Sequence, residues 1–405
     1  MVDYKEIRRG LHEHPQTAGC EEYAHDTIVR HLQGLHPDKV YTHVGGWGVI
    51  AVWGKDPQAP TVAFRADTDA LPIGHRCGHD GHTTILLRLA ELIDGLTPRP
   101  PLLGGEGESS SSPRLTGEGL GVRLNILLLW QPAEETGTGS QAVLDSGILQ
   151  QYNIKAFYGL HNLPGYPLGT VVLCPHTFAA ASTGVVYHLD GRETHASTPE
   201  MGINPGLAVA EIIKTFSQFN NHPPTVKSID PDNKVSGLTQ NGEEFRQSTL
   251  ICVHLGSPAF GTSAGHAEVM FTLRAFTNDA MERLLADANQ VVDEVAARHG
   301  LTVSRTLVEP FHATENDPEC VESIREAVEE LHASGDSQFS MLNAQFKDEP
   351  NRWSEDFAEY LLHYKGAMFG IGSGESQPEL HHPDYDFPDA LIEPAAQLFF
   401  KLAQQ

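Results

Sequence analysis

The sequence predicts an α/β protein in which a mostly parallel sheet carries helices on both sides and is interrupted by a separate α+β segment. Three observations carry this expectation. Short, nearly continuous apolar runs at residues 123–130, 155–160 and 367–371 have the composition of strands buried on both faces. Stretches with helical spacing alternate with them, at 4–33, 82–93 and 279–299. The middle of the chain changes pattern, reading strand (184–189), helix (205–219), strand (250–255) and strand (268–276). At 405 residues the chain exceeds what one core usually organises. We therefore expect one domain built from residues 1–180 and 292–405, with an inserted domain over 181–291.

In chain order, the first helical stretch ends at Gly34, and β-like runs follow at 48–53 and 61–64. A polar cluster then leads into the apolar helix at 82–93. Residues 97–121 contain Pro-Arg-Pro-Pro and a serine run, too polar to order themselves, and read as a surface insertion. A second insertion is expected over 220–247. No internal repeat is present. Leu11-His12-Glu13-His14 lacks the His-Glu-x-x-His spacing and reads as a surface turn before Pro15.

Charge and composition exclude several classes. Lys and Arg number 27 against 53 Asp and Glu, a net charge of -26 that repels phosphate backbones, so no nucleic-acid partner is expected. No apolar run reaches the roughly 18 residues that a membrane span needs. The start, Met-Val-Asp-Tyr-Lys-Glu, has no apolar signal region. Five scattered cysteines (Cys20, Cys77, Cys174, Cys252, Cys320) argue against a disulfide framework and for the cytoplasm. There is no Gly-x-Ser-x-Gly elbow and no Walker-type loop.

The chemistry-bearing residues cluster just after expected strands. Asp67 and Asp69 follow 61–64, with His75, Cys77, His79, Asp80 and His82 close behind. Glu134 and Glu135 follow 123–130, His161 follows 155–160, and His381 and His382 come soon after 367–371. Ligands of parallel sheets gather at the carboxyl ends of strands, so four separate segments point at one place. Thiolate, imidazole and carboxylate are the ligand types of zinc and other transition metals. Cys77 and His79, two apart in an extended turn, can face one side. Glu134 and Glu135, being adjacent, are expected to point apart, one toward metal and one toward water. Each motif alone has a plain structural explanation; the convergence is what favours a metal site.

These residues resemble the peptidase M20 family, in its amidohydrolase branch of aminoacylase-, hippuricase- and auxin-conjugate-hydrolase-like enzymes. The matching pieces run in the family's order from residue 8 to residue 383. They are Arg8 to Pro15, Arg65-Ala66-Asp67-Thr68-Asp69-Ala70-Leu71-Pro72 and Cys77-Gly78-His79-Asp80-Gly81-His82. Gln131-Pro132-Ala133-Glu134-Glu135, Gly159-Leu160-His161, Ser354-Glu355-Asp356-Phe357-Ala358 and Leu380-His381-His382-Pro383 complete the set. The resemblance implies a zinc-peptidase-like catalytic domain with an inserted ferredoxin-like dimerisation domain, hence a homodimer. It implies Cys77, His79, Glu135, His161 and His381 as ligands of two divalent ions, Zn or Mn, with Co or Ni also compatible. Glu134 corresponds to the general base and Asp69 to a carboxylate that orients a ligand. His195, in Gly191-Arg192-Glu193-Thr194-His195-Ala196, corresponds to a histidine that stabilises the oxyanion, often in the partner subunit's site. Arg274 is a candidate for a substrate carboxylate, with a structural salt bridge as the plain alternative.

The sequence departs from the family in two places. The stretch between Pro72 and His75 is shorter, and Phe260-Gly261-Thr262-Ser263 stands where relatives carry Asn-Val-Ile-Pro. The expected function is hydrolysis of the amide bond in an N-acyl amino acid or similar conjugate, by metal-activated water with Glu134 as base. A dipeptidase or exopeptidase on the same residues is an alternative. A catalytically degenerate, metabolite-binding member is another.

Overall fold

Apolar continuity decides which strands become central. In the computed structural model, which describes residues 2–96, 124–220 and 245–405, the strands at Gly48–Trp53 and Asn125–Gln131 are buried at every residue. Both faces of the sheet are therefore covered there. The insertion expected at 97–121 and most of that at 220–247 lie outside the described residues.

Labels follow chain order. The first part holds α1 (Tyr4–Glu13), α2 (Glu22–Leu32), β1 (Lys39–Val44), β2 (Gly48–Trp53), β3 (Pro60–Asp67) and α3 (His79–Leu96). It continues with β4 (Asn125–Gln131), α4 (Gly139–Asp145), β5 (Asn153–Pro164) and β6 (Thr170–Leu173). The middle holds β7 (Ala181–Asp190), β8 (Thr194–His195), α5 (Gly206–Phe216), β9 (Arg246–Leu255), β10 (Thr262–Ser263), β11 (His266–Ala275), α6 (Asn278–His299) and β12 (Thr302–Phe311). Last come α7 (Pro318–Ala333), β13 (Asn343–Phe346), α8 (Ala358–Leu361), β14 (Gly366–Gly374) and α9 (Ile392–Leu402).

The chain divides into two compact units. The first comprises Met1–His176, Asn316–Lys347 and Glu359–Gln405; the second comprises Thr177–Glu315 and Asp348–Ala358. The sequence reading drew its boundary at 291, inside α6. β12 lacks an apolar run and is mostly exposed, so it gave no strand signal, yet it pairs with β7 and belongs to the second unit.

The first unit is built on an eight-stranded sheet in the order β1-β2-β4-β3-β5-β14-β6-β13. The pairs β3·β4, β3·β5, β5·β14 and β6·β13 are parallel, and the others antiparallel. Its core joins Phe64, Trp130 and Phe369 of the sheet to Ile85, Leu89 and Phe399 of the helices. Each such burial contributes about 1.5–3 kcal/mol. The helical stretch at 4–33 is two helices. Asp3 caps α1 by accepting from the backbone N–H of Lys5 and Glu6, and Pro15 follows its end, where it cannot continue the helix. Leu11 to Glu13 are not a surface turn but the end of α1. Leu11 is buried, and His12 Nδ1 lies 2.8 Å from Asp80 Oδ2.

In the second unit β7, α5, β9, β11, α6 and β12 follow one another as βαββαβ, and the antiparallel sheet order is β12-β7-β11-β9. That is the ferredoxin-like arrangement. Thr277 caps α6 at its start, and Gly300, at φ +69°, ends it in the left-handed conformation that glycine adopts without strain. Tyr187, Phe216, Phe271, Leu284 and Val292 form a separate core. Among the described residues no helix is long and apolar enough to cross a membrane.

Candidate metal centre

β4, β3, β5 and β14 are consecutive in the sheet and mutually parallel, so their carboxyl ends share one edge. Asp67 ends β3 and Asp69 follows it; Glu134 and Glu135 follow β4; His161 lies near the end of β5; His381 follows β14. The loop out of β3 brings Cys77, and His79 opens α3.

Ligand atoms of Cys77, His79 and His161 lie within 4.8 Å of one another, and so do those of Cys77, Glu135 and His381. The five residues thus form two triads that share Cys77. His79 donates its Nδ1–H to the Asp69 carbonyl (2.9 Å), and His161 donates its own to the Asn162 carbonyl (2.8 Å). A carbonyl only accepts, so these bonds put a proton on each Nδ1 and leave each Nε2 as the nitrogen that faces the centre. His161 Nε2 is 3.6 Å from Cys77 Sγ. His79 Nε2 and Glu135 Oε1 are buried without a hydrogen-bond partner among the described residues. Buried polar atoms are rarely left so, because each costs about 1–3 kcal/mol. A divalent metal satisfies both atoms, and the thiolate, imidazole and carboxylate donor set fits one.

Glu134 and Glu135 do not point apart. Glu134 Oε2 and Glu135 Oε1 each lie 3.9 Å from His79 Nε2. The alternation assumed for an extended strand has ended by then, since Ala133 adopts φ +56° and turns the chain. The Asp69 carboxylate holds that turn, accepting the backbone N–H of Glu134 and of Glu135 at 3.0 Å each. His381 also has a left-handed φ, +66°, and its N–H donates to the Arg76 carbonyl. Strain of this kind costs about 1–3 kcal/mol per residue and persists where surroundings hold it. Gly78, at φ +99°, lies between two ligands; a Cβ there would meet Asn162 Oδ1 at 2.4 Å.

A buried network supports the ligands. Arg65 donates to Asp67 Oδ2 (2.6 Å) and to Gln131 Oε1 (3.0 Å), and His82 donates Nδ1–H to Asp67 Oδ1 (2.7 Å). His82 also bonds Asn162, which bonds Tyr385. Asp67, His79 and His82 are close enough to form a third triad. Both Asp67 oxygens are already engaged, so we read Asp67 as support. Sequence reasoning did not single out Arg65, Gln131, Asn162 or Tyr385 for the site. Arg65-x-Asp67 on one strand face was the available signal, whereas Tyr385 had none.

Electrostatics match an acidic ligand set suited to a cation. Burial pushes the Cys77 thiol well up, against the pull of His79. Burial likewise pushes Glu135 up to about 7; His79 opposes this, while Asp69 and Asp67 add to it. Burial holds His161 well below the usual histidine range, aided by His82. Cys77 and Glu135 must lose protons to bind metal, so apparent affinity should rise with pH through about 7 and fall below it. Each linked proton changes it by about tenfold per pH unit. Calorimetric metal titrations in buffers of different ionisation enthalpy would read the released protons, and buffer-independent heats would contradict this.

The second unit carries the other two candidates. His195 is exposed on β8, opposite Thr262 of β10, with Nδ1 2.7 Å from Ser197 Oγ. Arg274 Nη1 donates to the Arg352 carbonyl (2.8 Å) and to Ser354 Oγ (3.1 Å). Burial lowers its pKa, and it makes no ion pair among the described residues. The structural salt bridge considered for it is therefore absent there.

A family model, Peptidase family M20/M25/M40, matches residues 113–405. The chain belongs to this family. As an M20 member it is a metal-dependent amide hydrolase that uses divalent ions. It is 25% identical to the hippurate hydrolase of Campylobacter jejuni over 99% of this chain and 96% of that protein. It is 25% identical to the N-acetyldiaminopimelate deacetylase of Lactobacillus acidophilus, over 93% and 90%. A dinuclear metal-binding M20 peptidase of Bacillus subtilis shares the fold, with a TM-score of 0.75 and 22% identity over 99% of this chain and 96% of that one.

Proposed function

We propose that this M20 protein hydrolyses the amide bond of an N-acyl amino acid or similar small conjugate at the Cys77–His79–Glu135–His161–His381 centre. The observation that carries this is the pair of ligand triads sharing Cys77, with Glu134 beside them on a turn fixed by Asp69. The names of the hippurate hydrolase and the deacetylase support the substrate class. We assign the site two ions, Zn or Mn, with Co or Ni compatible with the donors. When bound there, divalent ions would supply Lewis acidity for a water nucleophile and for the scissile carbonyl.

Glu134 takes the proton of the attacking water and returns one to the leaving amine. Its position beside His79 supports that role. Asp69 orients Glu134, Glu135 and His79 through the bonds described above. His195 donates to the developing oxyanion, in the site of the other subunit of a homodimer. Arg274, without a carboxylate partner among the described residues, binds the substrate carboxylate. The second unit is the dimerisation domain in this reading. Five cysteines outside any disulfide support a cytoplasmic setting.

N-acetyl, N-benzoyl and dipeptide substrates assayed side by side on the metal-loaded protein test the proposal. Acylated amino acids should be hydrolysed fastest, with activity lost on chelation and restored by Mn²⁺ or Zn²⁺. Faster dipeptide cleavage would shift the assignment to a dipeptidase; activity that survives complete chelation would overturn the site.

A further inference from the structure

The face of the second unit's sheet opposite its own core carries a histidine cluster that the hydrolytic reaction does not use. Alternation along β7 and β11 buries Tyr187, Leu189, Ala267 and Val269 and turns His188, Asp190, His266 and Glu268 to the opposite face. Register then gathers them: Glu268 lies directly opposite His188 on β7 and His254 on β9, and His266 lies opposite Asp190.

The resulting distances suit coordination. His188 Nδ1 is 3.2 Å from Glu268 Oε1 and His266 Nε2 is 4.0 Å from it. All three ligand atoms lie within 4.8 Å of one another. Ligand atoms of tetrahedral zinc stand about 3.3 Å apart, given bonds of about 2.0–2.1 Å, so small side-chain rotations would close the triad. His266 Nδ1 meets Asp190 Oδ1 at 2.7 Å. That carboxylate accepts the Nδ1–H hydrogen bond and leaves Nε2 as the ligand, the arrangement that orients metal-bound histidines. His254 Nδ1, 3.3 Å from Glu268 Oε2, stands ready as a further donor.

Charge makes the same point. The rings of His188 and His266 stand with centroids 6.3 Å apart, both directed at the Glu268 carboxylate, and the chain's net charge of -26 favours the arrival of a cation.

We propose that His188, His266 and Glu268, none of them among the catalytic ligands, form a second metal site for a borderline divalent transition ion such as Zn²⁺. It links β7 to β11 and keeps a coordination position for water or His254. The sequence signal was His188-x-Asp190 and His266-x-Glu268 on two strands, meaningful only once their register is known.

Metal-stripped full-length protein, dialysed against Zn²⁺ alone and analysed for metal, tests this. His188→Ala and His266→Gln should each bind one equivalent less than wild type. Both should hydrolyse N-acyl amino acids at the wild-type rate, which reads the catalytic centre separately. His266→Gln keeps a donor for Asp190 and so guards against a folding defect. Wild-type stoichiometry in the two variants would overturn the site. So would a loss in His188→Ala that His266→Gln does not share.

Discussion

Glu134→Ala should retain the wild-type metal content and lose kcat by about 10²–10⁴-fold. The substitution removes the proton acceptor and leaves all five proposed ligands in place. The Glu134 N–H still donates to Asp69, because that bond belongs to the backbone. The turn therefore survives, and the loss falls on turnover rather than on metal binding. Glu135→Ala should behave differently and shed metal first, since Glu135 belongs to a triad. Steady-state kinetics and elemental analysis on the same samples separate the two outcomes. Wild-type kcat in Glu134→Ala would remove this residue from its role.

Arg65→Ala should destabilise the protein by about 3–5 kcal/mol, the usual result of removing one member of a buried ion pair. Arg65 is 1% exposed and Asp67 is 0% exposed, so water cannot replace the missing guanidinium. Gln131 Oε1 would keep its bond from Tyr360, but Asp67 would lose its Arg65 contact. Burial alone raises the Asp67 carboxyl, yet His79, His82 and Arg65 outweigh it and hold it well below the usual range. A depressed carboxyl stabilises the fold above its unfolded pKa and loses that contribution as pH falls through its folded one. The variant should thus show its largest deficit near neutral pH and a smaller one in acid. Urea unfolding at two pH values measures both, and a neutral-pH midpoint equal to wild type would contradict the network.

Much of the candidate site was legible because strand signals and ligand residues were neighbours in sequence. The continuous apolar runs of β4, β5 and β14 marked buried strands, and the polar residues immediately after β3 and β4 marked their carboxyl ends. Elements without an apolar signature were missed. β12 is largely exposed at the sheet edge, β13 is short and mostly exposed, and neither looks different from loop. The expected boundary at 291 differs from the unit's end at Glu315 for that reason. The direction of Glu134 and Glu135 was misread because alternation holds only in extended chain, and the left-handed Ala133 ends it.

The residues of the proposed metal centre were written locally: Cys77-x-His79, Glu134-Glu135, His161 and His381 each follow a recognisable strand or open a helix. Tertiary structure alone decided that these segments meet, because four parallel strands in the order β4-β3-β5-β14 place their ends side by side. It decided which buried atoms lack a partner, and that the Asp69 carboxylate accepts two backbone N–H groups while its carbonyl accepts the His79 ring. It also decided that histidines and a glutamate from three strands of the second sheet face one another. A sequence states which residues lie two apart on a strand, but only register, set by long-range backbone pairing, states what stands opposite them.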